Sequence, residues 1–244
     1  MTNSNDLTGK VVLVSGASRG IGYATAKEIA RRGAHVIAVA RTIGGLEELD
    51  DEIQREGGAT TLVPLDLTDG AGIDRLGKAI FDRWGQLDGL IVNAAMLGPI
   101  SPLSHISPKD FAKVLDINVT APFRLVRSLD VLLKASDGGR VVFVSSNSAT
   151  SAKPYWGLYA ASKAALNALA KSYAGELANT NVKVNVFYPG AVRTGMRAKA
   201  VPGEDPATLQ TPADIAPKLA DLISPTLSQN GQIFDVQTGE FCEI

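Results

Sequence analysis

The segment Ser15-Gly16-Ala17-Ser18-Arg19-Gly20-Ile21-Gly22 follows a short apolar run, Val11–Val14, and leads into a helical pattern. A strand, a glycine-rich turn and a helix in this order are typical of the first unit of a doubly wound α/β fold. Glycine allows the backbone to turn tightly and to approach a ligand where a Cβ would clash. The N-terminus of the following helix presents free N–H groups, which favour a pyrophosphate. The segment therefore predicts a dinucleotide site early in the chain.

Short β-branched runs alternate with helical stretches through the rest of the chain. The runs that we predict as strands are Val11–Ser15, His35–Ala40, Thr60–Leu65, Gly89–Asn93, Arg140–Ser145, Val182–Tyr188 and Gln232–Val236. The helical stretches span residues 21–32, 44–56, 71–84, 107–134, 157–178 and 212–223. This alternation predicts βαβ units, and the continuously apolar strands fit a parallel sheet that is covered on both faces. We expect one domain, residues 1–244, with a doubly wound (Rossmann) fold, a seven-stranded parallel sheet and helices on both faces.

Composition and charge argue against several classes of protein. The 244 residues include 24 Lys+Arg and 25 Asp+Glu, so no basic surface for nucleic acid is expected. The apolar runs are too short to span a membrane and residues 1–10 are too polar for a signal peptide, so a cytoplasmic protein is expected. One cysteine, Cys242, and two histidines argue against a disulfide framework and a metal site. We expect Cys242 to be packed and His105 to lie in a surface loop.

The end of the second predicted strand indicates which dinucleotide is bound. An acidic residue at this point would bond the 2′-hydroxyl of NAD, whereas this chain has Ala40 followed by Arg41. Arg19 lies in the glycine-rich turn, and two guanidinium groups suit a 2′-phosphate. These residues favour NADP over NAD, although both arginines could also be ordinary surface charges.

Tyr159 and Lys163 lie four residues apart on one face of the helix that follows the fifth strand. This helix starts at the sheet edge where doubly wound folds bind ligands. A nearby ammonium group stabilises a phenolate, so we expect Lys163 to lower the pKa of Tyr159. The phenol could then act as an acid or a base near neutral pH. Ser146, at the end of the fifth strand, could hold a carbonyl oxygen.

These motifs together resemble those of the short-chain dehydrogenase/reductase family. The glycine loop matches TGxxxGxG with Ser15 in place of threonine, Tyr159 and Lys163 match YxxxK, and Asn118 and Ser146 complete an Asn-Ser-Tyr-Lys tetrad at the family spacing. The resemblance covers nearly the whole chain. The segment MRAKAVPGEDPATLQTPADI is similar to a bacterial subgroup of largely uncharacterised reductases.

The resemblance implies hydride transfer between a nicotinamide and a carbonyl or secondary alcohol. Tyr159 would be the general acid or base, Lys163 would bind the nicotinamide ribose, Ser146 would steady the substrate oxygen, and Asn118 would place a water. The cofactor contacts that it implies are Gly16, Ser18, Arg19, Gly20, Ile21, Gly22, Arg41, Asp66, Leu67, Asn93, Tyr159, Lys163, Pro189, Gly190, Val192 and Thr194. The family's NNAG sequence reads Val92-Asn93-Ala94-Ala95 here, which predicts a modest loss of cofactor affinity.

The substrate side is less defined by the sequence. Residues 191–211 follow the sixth strand and are expected to form a flap over the substrate. Arg193, Arg197 and Lys199 are candidate contacts for a phosphate, a carboxylate or a carrier-protein surface, but solvated flap charges, partly offset by Glu204 and Asp205, are the favoured interpretation. The stretch Pro99–Pro108, which contains Ile100, Leu103 and His105, is a candidate for the opposite wall.

Alternative functions remain open at this point. A 3-oxoacyl-carrier-protein reductase would share the whole motif set, and a non-catalytic NADP(H)-binding redox sensor would share the glycine loop. A methyltransferase that binds S-adenosylmethionine would not explain the Tyr–Lys pair. The predicted helix between Phe111 and Leu133 has apolar residues around most of its circumference. This pattern predicts burial against a second copy in a homodimer or homotetramer.

Overall fold

The computed structural model describes residues 6–244 and contains one eight-stranded sheet with the strand order β3-β2-β1-β4-β5-β6-β7-β8. The strands are β1 (Val11–Ser15), β2 (His35–Ala40), β3 (Ala59–Pro64), β4 (Gly89–Val92), β5 (Arg140–Val144), β6 (Lys183–Tyr188), β7 (Gln232–Asp235) and β8 (Glu240–Glu243). The first seven strands pair in parallel, as expected for βαβ units. Residues 1–5 of the polar N-terminal segment lie outside the described residues.

Helices cover both faces of the sheet. They are α1 (Gly20–Arg31), α2 (Ile43–Arg55), α3 (Gly70–Trp84), α4 (Pro108–Leu115), α5 (Ala121–Ala135), α6 (Ser148–Ser151), α7 (Gly157–Glu176), α8 (Gly195–Ala200) and α9 (Pro212–Asp221). One hydrophobic core lies between the sheet and α3, α5 and α7, and the other lies between the sheet and α1, α2 and α9. In β1, Leu13 joins the first core while Val12 and Val14 join the second, because alternate side chains of a strand point to opposite faces. The doubly wound fold predicted from the sequence is confirmed.

The number of strands was predicted wrongly. The eighth strand, β8, pairs antiparallel with β7, with Phe234 opposite Phe241 and Ile233 opposite Cys242. Its sequence, Glu-Phe-Cys-Glu, is too short and too polar to stand out as a strand. Cys242 is exposed and not packed, because β8 is the edge strand of the sheet and has a neighbouring strand on one side only.

The helix predicted over residues 107–134 is divided into two. A π-helical turn, Asp116–Thr120, separates α4 from α5, and Ala121 N–H donates to Asp116 O across it. Pro122 has no N–H group, so it cannot donate to the carbonyl of Asn118 as a regular α-helix requires. The wider turn accommodates the missing bond, as π-bulges within α-helices often do near functional sites. The apolar pattern continues through the turn, so periodicity alone predicts one uninterrupted helix.

Residues 6–244 contain neither a membrane-spanning helix nor a cluster of metal-ligating side chains. None of the helices in this range combines the length and the hydropathy that crossing a membrane requires. The same part of the chain contains no group of three or more His, Cys, Asp or Glu side chains that could hold a metal ion.

Candidate active site

The ends of β1 and β4 are joined by Ser15 and Asn93. The Ser15 hydroxyl accepts hydrogen bonds from the backbone N–H groups of Asn93 (2.9 Å) and Ala94 (3.1 Å). It also donates to the carbonyl of Ile91 at 3.2 Å. The Asn93 amide donates in return to the carbonyl of Ser15 at 2.9 Å. Serine therefore has the hydroxyl that this position needs, and Asn93, predicted as a cofactor contact, fixes the loop by its side chain.

Two glycines of the loop are required by close packing. A Cβ on Gly16 would lie 2.9 Å from Ala94 Cα, and one on Gly22 would lie 2.4 Å from the Gly16 carbonyl oxygen. Helix α1 starts immediately after Arg19, whose side chain makes no capping hydrogen bond. The N–H groups of the first turn are therefore left without a side-chain cap beside a backbone that approaches closely. This arrangement fits a pyrophosphate group.

The candidate residues for the adenosine end of a dinucleotide lie beside this loop. A Cβ on Gly45 would be 2.6 Å from the Ser18 carbonyl oxygen, so the first turn of α2 contacts the loop. Arg19 follows Ser18 in the chain, and Arg41 lies two residues before the start of α2. Both arginines are exposed. Arg41 Nη1 lies 3.8 Å from Asp66 Oδ2. The pKa of Asp66 is lowered mainly by hydrogen bonds from Thr68, with a smaller contribution from Arg41. Leu67 is buried in the core.

Tyr159 lies in the first turns of α7, where it is almost completely buried. Burial raises the pKa of its phenol to about 12, and a hydrogen bond with Ser146 acts in the opposite direction. Trp156 packs edge-on against the phenol ring, with the ring centroids 6.1 Å apart. Trp156 was not among the predicted site residues, because its position next to Tyr159 depends on the turn that leads into α7.

Lys163 is buried beneath Tyr159. Its Nζ donates to the carbonyl of Val144 at 2.8 Å and lies 5.8 Å from the centroid of the Tyr159 ring. Burial lowers the pKa of Lys163 to about 8. Desolvation dominates the shifts of both groups, and the expectation that a protonated Lys163 lowers the pKa of Tyr159 stays a prediction. The bond to Val144, the last residue of β5, was not predicted.

Asn118 is buried in the π-helical turn, and its side chain is fully engaged. Its Oδ1 accepts from Met96 N–H at 2.8 Å, and its Nδ2 donates to the Met96 carbonyl and to Ser162 Oγ, each at 2.9 Å. Asn118 thus links the loop after β4 to α7. The side-chain N–H groups are not free to donate to a water, whereas the backbone carbonyl has no donor at Pro122.

The segment after β6 approaches the glycine loop. Thr194 Oγ1 accepts from Arg197 N–H at 3.2 Å and so caps α8, and Thr194 Cγ2 lies 3.5 Å from the Cβ position of Gly20. Pro189 and Gly190 come directly before, and Gly190 has φ +72°. Arg193 N–H donates to Gln210 O at 2.8 Å, and Val192 forms a β-bridge with Gln210. The two ends of segment 191–211 are therefore held together by backbone contacts.

Segment 191–211 also contains an internal ion pair. Arg197 Nε and Nη2 contact Glu204 Oε2 and Oε1 at 2.6 and 2.5 Å. Of the three cations predicted as anion contacts, Arg197 is therefore already paired, whereas Arg193 and Lys199 are exposed. His105 is exposed at the end of a 3-10 turn, Leu103–His105.

Comparisons with known proteins agree with this arrangement. The family model described as short chain dehydrogenase matches residues 10–205. The chain is 37% identical over 237 residues to "Uncharacterized oxidoreductase YciK" of Escherichia coli K12, covering 96% of this chain and 94% of that protein.

Two similar solved structures contain a bound cofactor. One is a short chain dehydrogenase structure from Shigella flexneri 2a complexed with NADP, with TM-score 0.92, 37% identity and coverage of 96% of this chain and 100% of that one. The other, from Escherichia coli CFT073, is complexed with NADPH, with TM-score 0.90, 36% identity and coverage of 96% and 99%. Together with the glycine loop and the Ser146, Tyr159 and Lys163 cluster, these matches show that the chain belongs to the short chain dehydrogenase family and is an oxidoreductase.

Proposed function

We propose that this protein is an NADP(H)-dependent oxidoreductase that interconverts a carbonyl compound and a secondary alcohol, with Tyr159 as the general acid or base. The observation that carries the proposal is the contact of the buried Tyr159 phenol with Ser146 above the buried ammonium group of Lys163. A phenol, a hydroxyl and a cation are the groups needed to protonate a developing alkoxide.

The roles of the side chains follow from their chemistry. The bound dinucleotide supplies or accepts the hydride. Ser146 donates a hydrogen bond to the substrate oxygen, and Tyr159 donates its proton to the same oxygen during reduction. Lys163, when protonated, lowers the cost of forming the phenolate. Because Lys163 has three N–H donors and gives one to Val144, two remain for the ribose hydroxyls of the nicotinamide half.

In this proposal Asn118 has a structural role for its side chain in addition to the placing of a water that the family resemblance implies. Its side chain positions the loop after β4 against α7 through Met96 and Ser162. Any water in the proton path would be held by the Asn118 backbone carbonyl, which the π-helical turn and Pro122 leave without the usual helical donor.

NADP is the proposed cofactor because two exposed guanidinium groups, those of Arg19 and Arg41, lie beside the contact between the glycine loop and α2. They suit the 2′-phosphate. The NADP and NADPH complexes of the related structures support the same choice. The dinucleotide would be held by the glycine loop, these arginines, Lys163 and the segment Pro189–Thr194.

The choice of cofactor is tested by Arg41→Ala. The variant should raise the dissociation constant of NADPH by at least about tenfold and change that of NADH by less than about twofold, because NADH lacks the phosphate. Fluorescence titration measures both constants. Arg55→Ala, which removes an exposed arginine at the opposite end of α2, is the control. Equal weakening of both cofactors by Arg41→Ala would contradict the assignment.

A further inference from the structure

We propose that the carbonyl substrate carries a bulky, uncharged apolar group, which binds against an aromatic rim formed by Leu103, Tyr155 and Trp156. This inference rests on the proposed function, since it names the substrate class for the chemistry assigned to Tyr159.

Trp156 places the rim beside the proposed reacting group. Its ring meets the Tyr159 ring edge to face, with an interplanar angle of 71° and 6.1 Å between the centroids. Trp156 is only partly buried and is the residue before the first residue of α7. An apolar group attached to a carbonyl carbon near the Tyr159 phenol would therefore meet the indole.

Two large apolar side chains extend this surface. Leu103 is 67% exposed and Tyr155 is 60% exposed. They belong to separate segments that the fold brings together: Ser101 N–H donates to Tyr155 O at 3.0 Å, and Leu103 Cδ1 lies 3.3 Å from the Cβ position of Gly157. Large apolar side chains grouped at one exposed place mark a binding site more often than isolated ones do.

The backbone at Tyr155 is held in an uncommon conformation. Tyr155 has φ +72°, in the left-handed region that bulky residues rarely adopt. Such conformations cost on the order of 1–3 kcal/mol and cluster at binding sites. The exposed ring makes no aromatic contact among the described residues that would offset this cost. The strained backbone thus holds an exposed aromatic side chain next in sequence to Trp156, the residue that packs on Tyr159.

The rim itself contains no charged side chain, which favours an uncharged group. Besides Tyr155 of the rim, the titratable side chains of residues 99–108 and 148–157 are His105 and Lys153, and both are exposed. In segment 191–211, Arg197 is held by Glu204, and the exposed Arg193 and Lys199 belong to that segment and not to the rim. The rim itself consists of an isobutyl group, a phenol and an indole, whose area is stabilised when an apolar group covers it.

The test compares matched ketones in NADPH oxidation by the full-length protein. The probes are 1-phenyl-1,2-propanedione, 2,3-butanedione, in which methyl replaces phenyl, and phenylglyoxylate, in which a carboxylate replaces acetyl. Each reduction consumes one NADPH and one proton, as the hydride goes to the carbonyl carbon and the proton to its oxygen. The phenyl diketone should have a kcat/KM at least about tenfold above that of butanedione and of phenylglyoxylate.

Variants assign this preference to the rim. Tyr155→Asn removes the ring, and asparagine tolerates the left-handed backbone conformation at this position. The variant therefore tests the contribution of the ring without disturbing the backbone. It should reduce the phenyl preference to below about threefold, mainly through KM for the diketone, with KM for NADPH unchanged. Leu103→Ala should act in the same direction. Phe81→Ala, which removes an exposed phenyl group from α3, is the matched control and should leave the preference intact.

The outcomes separate this inference from the proposed function. Equal kcat/KM for the two diketones, a preference for phenylglyoxylate, or a phenyl preference retained in both Tyr155→Asn and Leu103→Ala would overturn the rim and leave the oxidoreductase intact. If the protein binds NADPH but reduces none of the three probes, the rim inference fails, and the carbonyl-reductase proposal fails as well only if a wider panel of ketones, aldehydes and oxoacyl thioesters is not reduced either.

Discussion

At the residue scale, Tyr159 and Lys163 lie one turn apart on α7, and burial shifts their pKa values in opposite directions. The pKa of Tyr159 is raised to about 12, and the pKa of Lys163 is lowered to about 8. Desolvation favours the neutral form of each group, so the phenol keeps its proton and the amine gives its proton up more readily. Lys163 therefore changes its charge close to physiological pH, whereas a solvated lysine would remain charged.

The buried Lys163 makes stability depend on pH in a defined window. Its folded-state pKa of about 8 lies below the ordinary value of 10.5, so the unfolded chain binds more protons between these two values. The free energy of unfolding of the parent should therefore rise relative to Lys163→Met as the pH increases from 8 to 10.5, by up to about 3 kcal/mol. Urea unfolding of both proteins at several pH values measures the difference in their free energies of unfolding. The contributions of titratable groups that both proteins share cancel in this difference.

The control for this effect is Lys171→Met, which removes an exposed lysine from the same helix. The difference in free energy of unfolding between the parent and Lys171→Met should not rise between pH 8 and 10.5. A parent that loses stability relative to Lys163→Met between pH 8 and 10.5, or shows no change, would contradict a buried amine with a lowered pKa.

At the element scale, the π-helical turn between α4 and α5 determines how the site is assembled. In this turn the Asn118 amide bonds to Met96, in the loop after β4, and to Ser162, in α7. These two residues are far apart in the sequence. Three hydrogen bonds, of which the one to Ser162 is buried and the two to Met96 are partly buried, thereby fix the loop after β4 against α7, the helix that carries Tyr159 and Lys163.

Asn118→Ala should be strongly destabilising. It removes three hydrogen bonds and leaves Met96 N–H and the Met96 carbonyl without their partner, which should lower the free energy of unfolding by about 2–4 kcal/mol. Chemical denaturation measures the change. Asn179→Ala, at an exposed asparagine, should change it by less than about 0.5 kcal/mol. If the two variants were equally stable, the linking role of Asn118 would be refuted.

The helices and strands could largely be predicted because their apolar patterns are strong and local. Strands β1 and β2 begin and end where the sequence predicts, and α1, α2 and α3 each begin one residue earlier. The turn at Asp116–Thr120 was missed because the effect of Pro122 on the Asn118 carbonyl is a local backbone event inside a continuous apolar pattern. Strand β8 was missed because its residues are mostly polar and are recruited by pairing with β7.

The site was predictable only in part. Residue types and spacing indicate Ser146, Tyr159 and Lys163, and the structure brings these together. Spacing does not reveal that Lys163 would bond to Val144 or that Trp156 would contact Tyr159, because both contacts depend on how α7 docks on β5. The catalytic and cofactor roles of these residues stay predictions until they are measured, as do the single-domain organisation and the cytoplasmic location.

At the scale of the whole molecule, apolar side chains on α4 and α5 remain uncovered. Phe111 is 42% exposed, Phe123 is 51% exposed and Val131 is 71% exposed, whereas Leu125 and Leu129 on the opposite side of α5 are buried in the core. The sequence-based expectation that this region packs against a second copy therefore stays a proposal, supported by an apolar surface that one chain does not bury.

Phe123→Asp should lower the mass in solution if α5 forms the proposed interface, because a charge would be buried without a partner. Light scattering at working concentration is expected to give a dimer or tetramer for the parent and a smaller species for the variant. Phe81→Asp, at an exposed phenylalanine on α3, should leave the mass unchanged. A parent that is already monomeric would remove the interface proposal.

Proton transfer by Tyr159 in an NADPH-dependent carbonyl reduction can be tested by a single comparison of the parent with Tyr159→Phe. NADPH oxidation is followed across ketones, aldehydes, diketones and oxoacyl thioesters with the parent and with Tyr159→Phe. We expect turnover by the parent, a loss of at least about a hundredfold in kcat for the variant, and NADPH binding retained in both. Undiminished turnover by Tyr159→Phe, or NADPH binding without turnover of any carbonyl by the parent, would contradict it.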